Sequence, residues 1–132
     1  MKPRYRAWMK SLKWMCDVTN ISFDSKFVDI CQQGDTERYT EMSVEFDEIT
    51  LMQSTGLFDR NGKEIFEGDI LDYRGRKALV RWHGSYASFI YRFVDGLKER
   101  VSEWDPLFLA CYHFEVIGNI YENPAFLEVT DE

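Results

Sequence analysis

The spacing of turn signals constrains this chain more than any other feature of its sequence. Gly56, Gly62, Gly68, Gly75, Gly84 and Gly96 cut its middle into runs of strand length, since strands usually hold roughly 3–10 residues. Asp59-Arg60-Asn61-Gly62-Lys63 is the strongest of these turns. Asn and Gly tolerate positive φ, and the Asp carboxylate can accept hydrogen bonds from backbone N–H groups inside the turn. Gly68, set between Glu67 and Asp69 just ahead of an apolar pair, permits a tight bend or bulge whose amides Asp69 can satisfy. Beyond it, Ile70 to Tyr73, Ala78 to Trp82 and Ala87 to Phe93 are separated by turns at Arg74-Gly75-Arg76-Lys77 and His83-Gly84-Ser85. Such runs make an antiparallel meander, and many short strands with frequent turns argue for a small, strongly curved sheet or barrel.

The flanks follow the same logic. Arg4 to Val18 holds two β-prone runs around a short polar connection and reads as a hairpin. Alternation sets Tyr5 and Ala7 on one side and Arg4, Arg6 and Trp8 on the other, so that one face is buried while the arginines stay in water. Phe23, Phe27, Val28 and Ile30 form a less regular apolar set, and the polar stretch Gln32 to Thr40 reads as the least ordered loop. Val44 to Met52 is the next ordered stretch, ending at Thr55-Gly56. A turn is expected at Asp95-Gly96, and Leu97 to Trp104 is charged and ambiguous. The apolar runs Leu107 to Tyr112 and Phe114 to Tyr121 read as central strands. Asn123-Pro124 opens a short turn or helix carrying Phe126, Leu127 and Val129. No long amphipathic helix and no internal repeat is visible.

At 132 residues the chain has the size of one domain, with residues 1–43 read as an N-terminal hairpin and loop region and residues 44–132 as a β-barrel core. Its content, 45% hydrophobic and 16% aromatic, excludes global disorder, because it offers ample apolar surface to offset the entropy of ordering. The longest apolar run, Leu107 to Tyr112, is far shorter than the roughly 20 residues that cross a bilayer, so no membrane partner is expected. Arg4, Arg6, Lys10 and Lys13 interrupt the N-terminal aromatics where a secretory signal would carry its apolar core, and the expected compartment is the cytoplasm. Cys16, Cys31 and Cys111 are odd in number and widely spaced, which suits a reducing compartment better than a disulfide scaffold. With His83 and His113 they make five candidate metal ligands, but no pair has the close spacing that lets one turn present two ligands to zinc. Neither metal nor cofactor is expected.

The formal net charge of −7 is unevenly distributed: +5 over residues 1–14, −10 over 15–73, +5 over 74–94 and −7 over 95–132. Two basic blocks meeting in space would make a positive face on an acidic molecule. Glu64, Glu67, Asp69 and Asp72 crowd one segment, yet acid–base catalysis needs carboxylates whose surroundings push their pKa values apart, and a turn in water does not do that. Cys111 and His113, two apart on an expected strand, would share a side without a third group to orient the base. No glycine-rich phosphate loop occurs. An enzyme is not expected.

Three blocks, Arg4-Tyr5-Arg6-Ala7-Trp8, the stretch from Met52-Gln53-Ser54-Thr55-Gly56 through Asp59-Arg60-Asn61-Gly62-Lys63 to Gly68-Asp69-Ile70, and Phe114-Glu115-Val116-Ile117-Gly118-Asn119-Ile120-Tyr121-Glu122-Asn123-Pro124, resemble the YopX family of phage and prophage proteins in order and extent. The resemblance implies a mainly β fold, a small SH3-like roll or barrel of short antiparallel strands with little helix, encoded by a bacteriophage or prophage. The family carries no assigned function, so the resemblance supplies no site residues. Its blocks also have a purely architectural reading: Gly62 and Gly68 supply backbone angles, Asp59 and Asp69 satisfy turn amides, and Ile65, Ile70, Val116, Ile117 and Ile120 supply core.

The leading functional expectation is therefore a non-catalytic interaction or assembly module, acting through a sheet edge or an exposed aromatic patch on a phage or host protein or on a second copy. Trp8, Trp14 and Trp104 are more indoles than a core of this size readily hides, which favours a homo-oligomer. The alternative is a nucleic-acid-binding module using segments 1–14 and 74–94. Arg74, Arg76 and Lys77 occupy one turn, Arg81 and Arg92 flank it, and Arg4 and Arg6 would join from the first block. Tyr73, Trp82, Phe89 and Tyr91 are interleaved with them, a mixture suited to holding phosphates while stacking bases. The acidic balance of the whole chain opposes that attraction.

Overall fold

A computed structural model describes residues 4–95 and 105–128; the expected turn residue Gly96, the segment Leu97 to Trp104 and Val129 lie outside the described residues. The chain is mainly β, its short antiparallel strands joined by turns and 3-10 segments, and it divides into two compact units, residues 1–54 and 55–132. Among the described residues no helix is long and apolar enough to cross a membrane.

The first unit holds strands β1 (Tyr5–Met9), β2 (Trp14–Ser22), β3 (Phe27–Gln32), β4 (Met42–Glu45) and the first half of β5 (Ile49–Phe58), in the order β4-β3-β2-β1-β5. The expected N-terminal hairpin is β1 with β2, Arg6 opposite Asp17 and Met9 opposite Trp14. β4 and the start of β5, at opposite ends of this order, are joined by only Phe46–Glu48. So short a link forces the sheet to coil until the two approach, and the link is pinned by bonds from Phe46 N to Lys26 O (3.0 Å) and from Lys10 N to Glu48 O (3.2 Å). The concave face packs Ala7, Met9, Cys16, Val28, Ile30, Val44 and Ile49 into one core. Burial there pushes the Cys16 thiol up to about 11, with Cys31 and Asp17 adding to the effect, which keeps it protonated and unreactive at neutral pH. Because β4 pairs with β3 and the start of β5 with β1, the boundary between units falls at 54/55 rather than at 43/44. The loop Gln32 to Thr40 is also more ordered than its polarity suggests. The Asp35 carboxylate accepts from Thr40 N (2.7 Å) and the Thr40 hydroxyl (2.6 Å), and that hydroxyl accepts from Gln32 N (3.0 Å).

The second unit opens with the rest of β5 and β6 (Glu64–Phe66), which flank the Asp59–Lys63 turn. Its main sheet holds β7 (Asp69–Tyr73), β8 (Arg76–His83), β9 (Ser88–Phe93), β10 (Asp105–Pro106) and β11 (Glu115–Asn119), in the order β10-β9-β8-β7-β11. The meander expected from the sequence is β7-β8-β9. Its first loop is the two residues Arg74 and Gly75, both at positive φ (50° and 86°), the signature of a type I′ hairpin turn. One face of this sheet, with Ile65, Leu107 and Phe114, forms the second core. Phe114 sits among Tyr91, Tyr73 and Phe93 at ring-centroid distances of 4.9, 5.9 and 6.2 Å; burying such a side chain stabilises by about 2–3 kcal/mol. The two sheets are antiparallel and open, not closed into the barrel that the resemblance implies.

One element differs in kind from its expectation. Leu107 to Tyr112 is no central strand but a strap of two 3-10 turns, Leu107–Leu109 and Cys111–His113, held by bonds from Ala110 N to Leu107 O (3.0 Å) and His113 N to Ala110 O (2.9 Å). The topology requires it. β10 and β11 are opposite edges of the sheet, so the residues between them must cross it, and Pro106 ends β10 because proline cannot donate to a ladder.

Candidate interaction surface

The strap's geometry decides which of its side chains are hidden. Along the strap Leu107 and Phe114 point to the sheet and are 0% and 2% exposed, with Ala110 and Cys111 partly buried between them, a recurrence at 107, 110, 111 and 114 that has helical spacing. Phe108, Leu109 and Tyr112 point outward at 58%, 61% and 61% exposure, and His113 is exposed beside Tyr112 and Tyr73. Cys111 and His113 therefore do not share a side as strand residues would. Trp82, 46% exposed, stands edge-to-face on Phe89 at 5.0 Å, and Phe89 packs on the same core as Leu107. At the tip of the β8–β9 hairpin, His83 stacks on exposed Tyr86 at 4.3 Å. No Asp, Glu, Lys or Arg occurs from Pro106 to Phe114 or from Trp82 to Tyr91. Both segments thus expose rings and aliphatic groups and hold no formal charge themselves, with Asp105 at one end of the strap and the Arg60–Glu115 pair at the other.

The polar residues of the second unit behave in the opposite way. Asp59 is 6% exposed, and its carboxylate accepts from Asn61 N and Lys63 N (2.8 Å each) across its own turn and from Val116 N (2.9 Å) on β11. Burial opposes its charge, but the three N–H donors and the Lys63 ammonium outweigh it and hold the carboxyl below the usual range. Asn119, 5% exposed, accepts from Tyr121 N (3.0 Å) and Glu122 N (2.9 Å), while Asn123 accepts from Asn119 N (3.2 Å). A Cβ at Gly118 would overlap the Asn123 side chain, which explains glycine there. Asp69, 1% exposed, accepts from Phe66 N (2.8 Å) at the Gly68 bend. Among the described residues no group of three or more His, Cys, Asp or Glu is placed to hold a metal ion.

The residues expected to contact nucleic acid are not gathered into one surface within the second unit. Strand alternation puts Arg76 and Trp82 on the core side of β8 and Lys77 and Arg81 on the other, which Arg92 shares because it lies opposite Leu79. Arg76 lies over the Phe93 ring at 3.8 Å and pairs with Asp95 at 3.1 Å. Arg74 lies over Tyr73 at 5.3 Å, and Lys77 over Phe126 at 5.5 Å. Tyr73, Phe89 and Tyr91 are core, and burial followed by the nearby Asp105 raises the Tyr91 pKa. In the first unit Arg4 is exposed, but Arg6 is only 7% exposed, with its Nε donating to Met52 Sδ at 3.4 Å. The expectation that Arg6 stays in water fails because both faces of β1 are covered: Ala7 and Met9 on one side, Arg6 with Met15 and Met52 on the other. Trp8 and Trp14 are partly buried, and Trp104 lies outside the described residues.

Sequence reasoning missed Phe108, Leu109 and Tyr112. The usable signal was Pro106, which disqualifies a central strand, together with apolar residues at 107, 110, 111 and 114, a helical rather than a two-residue period.

A sequence model of the YopX protein family matches residues 4–128. The chain belongs to the YopX family. Among solved structures it is similar to that of protein EF1440 from Enterococcus faecalis, with 29% identity, a TM-score of 0.59 and coverage of 97% of this chain and 99% of that one. No curated protein matches it. Of the blocks that resemble YopX, the first lies at β1, and the second and third hold the residues that lock the turn at Asp59, the bend at Gly68 and the end of β11; the strap lies outside all three.

Proposed function

We propose that this YopX-family protein is a non-catalytic interaction module that meets its partner through the outer side of the strap. The observation that carries this reading is the exposure of Phe108, Leu109 and Tyr112, each near 60%, on a segment otherwise devoted to covering a core. Single exposed apolar residues are ordinary, whereas a group of them on one segment marks a contact site. Trp82 and Tyr86 extend the same chemistry, and aromatic residues are the side chains most enriched at protein contacts. The non-catalytic part of the reading is supported by Asp59 and Asn119, whose side-chain oxygens are engaged by backbone N–H groups. The family resemblance suggests a phage-infected or prophage-carrying cell as the setting.

The test is site-specific photo-crosslinking in cells, with a photoreactive phenylalanine analogue in place of Tyr112 and, as control, in place of Tyr39, which is 86% exposed in the first unit. Adducts from position 112 and none from position 39 are expected. A strap position that yields no adduct, or no more than the control, overturns the reading.

A further inference from the structure

We infer that the Asp59–Lys63 turn is an edge guard: it occupies hydrogen-bonding positions on β11 that an added strand would use, and so keeps the second sheet from extending into a neighbouring chain. The inference does not depend on the strap. Among the described residues β11 is the last strand of its sheet, with β7 on one side only. An edge strand presents a row of N–H and C=O groups, a ready template for pairing with another chain. Around β11 the sequence Phe114-Glu115-Val116-Ile117, followed by Ile120-Tyr121, is rich in aromatic and β-branched residues, the composition that pairs most readily.

The turn covers this template with two unlike groups. In an antiparallel ladder each residue turns its N–H and C=O to the same neighbour, and successive residues alternate. Glu115 and Val116 lie in register with Asp72 and Leu71 of β7. Yet the Val116 N–H is given to Asp59 Oδ2 (2.9 Å), and the Phe114 carbonyl accepts from Arg60 N (2.9 Å). Phe114 and Val116, two residues apart, therefore turn these groups away from β7. A further strand would bring them an N–H and a carbonyl; here Arg60 supplies the N–H and the Asp59 carboxylate stands in for the carbonyl. Because that carboxylate also accepts from Asn61 N and Lys63 N (2.8 Å each), it is fixed by its own turn and stays at the edge. Arg60 and Glu115 pair across the guard at 2.8 Å with both side chains exposed, and charged side chains on an edge oppose pairing as well.

The experiment compares the full chain with its Arg60→Pro, Asp59→Asn, Arg60→Ala and Val80→Ala variants. Gly62 N bonds to Asp59 O at 3.0 Å, which makes Arg60 the second residue of a four-residue turn, where proline is favoured. Arg60→Pro therefore keeps the bend and deletes the N–H given to Phe114. Asp59→Asn keeps the side chain's shape and removes one of its two acceptor oxygens. Arg60→Ala removes only the ion pair, and Val80→Ala weakens the core around a fully buried residue with the guard intact. Amide hydrogen exchange reads the edge, while light scattering and thioflavin T fluorescence over a concentration series read strand addition. In Asp59→Asn the Val116 N–H should exchange at least about tenfold faster than in the wild type, measured against the Leu79 amide of central strand β8. Arg60→Pro and Asp59→Asn should both grow into β-rich multimers at concentrations where Arg60→Ala and Val80→Ala gain no mass over the wild type. Should Asp59→Asn not fold, Arg60→Pro carries the same comparison. Unchanged exchange at Val116, guard variants that gain no more mass than Val80→Ala, or an Arg60→Ala variant that gains as much as Arg60→Pro would each overturn the inference, the last by assigning the protection to charge.

Discussion

Two regions of the second unit solve opposite problems. The turn at Asp59 and the end of β11 bury polar side chains and engage them with backbone donors: Asp59 serves Asn61, Lys63 and Val116, and Asn119 serves Tyr121 and Glu122. The strap does the reverse and holds Phe108, Leu109 and Tyr112 in water. A buried polar group is tolerated only when it is bonded, so the first region reads as architecture. Exposed apolar groups cost little in the fold itself, so the second region is where the chain is free to contact something else.

The largest effect that would sharpen this contrast is Asp59→Ala. It strips the acceptor from three backbone N–H groups, each costing about 1–3 kcal/mol when left unpaired, and urea denaturation should show a loss of at least about 3 kcal/mol. A loss under about 1 kcal/mol would mean that water replaces the carboxylate and that the lock is not structural. Gly118→Ala should cost about 2 kcal/mol through overpacking against Asn123. In an Asn123→Ala background the same change should cost clearly less, because the colliding side chain is gone; additive losses would refute the contact.

The lock also predicts a pH dependence. Asp59 and Asp35 both titrate below their ordinary range in the folded chain, Asp59 against its burial through N–H donors from Val116, Lys63 and Asn61, Asp35 through the Thr40 hydroxyl first and the Thr40 N–H next. A depressed carboxylate stabilises the fold above its unfolded pKa of about 3.9, and that contribution is lost as pH falls through the folded value. Denaturation midpoints should therefore drop on acidification below about pH 4, and Asp59→Asn should flatten that limb.

At the strap the expected effects on stability are small. Leu109→Glu and Tyr112→Glu should each shift it by no more than about 0.5 kcal/mol, as exposed substitutions do; a loss of several kcal/mol would show that the outer side chains support the core and would break the comparison. Smallest of all is the effect expected from Arg76→Glu with Lys77→Glu. The Arg76–Asp95 pair is exposed on both sides (55% and 59%), and such pairs contribute about 0–1 kcal/mol. Fluorescence anisotropy with oligonucleotides at low salt should show no affinity for this pair of charges to remove; binding that the double variant abolishes would favour a nucleic-acid role for the β7–β8 hairpin.

Much of the fold was legible because its signals are local. Asn61-Gly62, Gly68 and Arg74-Gly75 fix turns through backbone angles and nearby side-chain acceptors, and each lies where the sequence puts it. The β1–β2 hairpin and the β7-β8-β9 meander follow from those turns and from the short apolar runs between them. The surface was much less legible. Six apolar residues in a row satisfy a buried strand as readily as a half-buried strap; Pro106 and the helical spacing of 107, 110, 111 and 114 speak against the strand, and the position of β10 and β11 on opposite edges decides it.

What the sequence determined alone is where the chain bends at its central turns and that short strands fill the intervals between them, since those choices are made within a few residues by φ preferences and local hydrogen bonds. What only the tertiary structure decided is which side of each element is covered. It buried Arg6 beside Met52, split the basic residues of β8 and β9 between two faces, and turned Phe108, Leu109 and Tyr112 outward. Burial depends on what the sheet brings alongside from distant parts of the chain, and no local pattern encodes it.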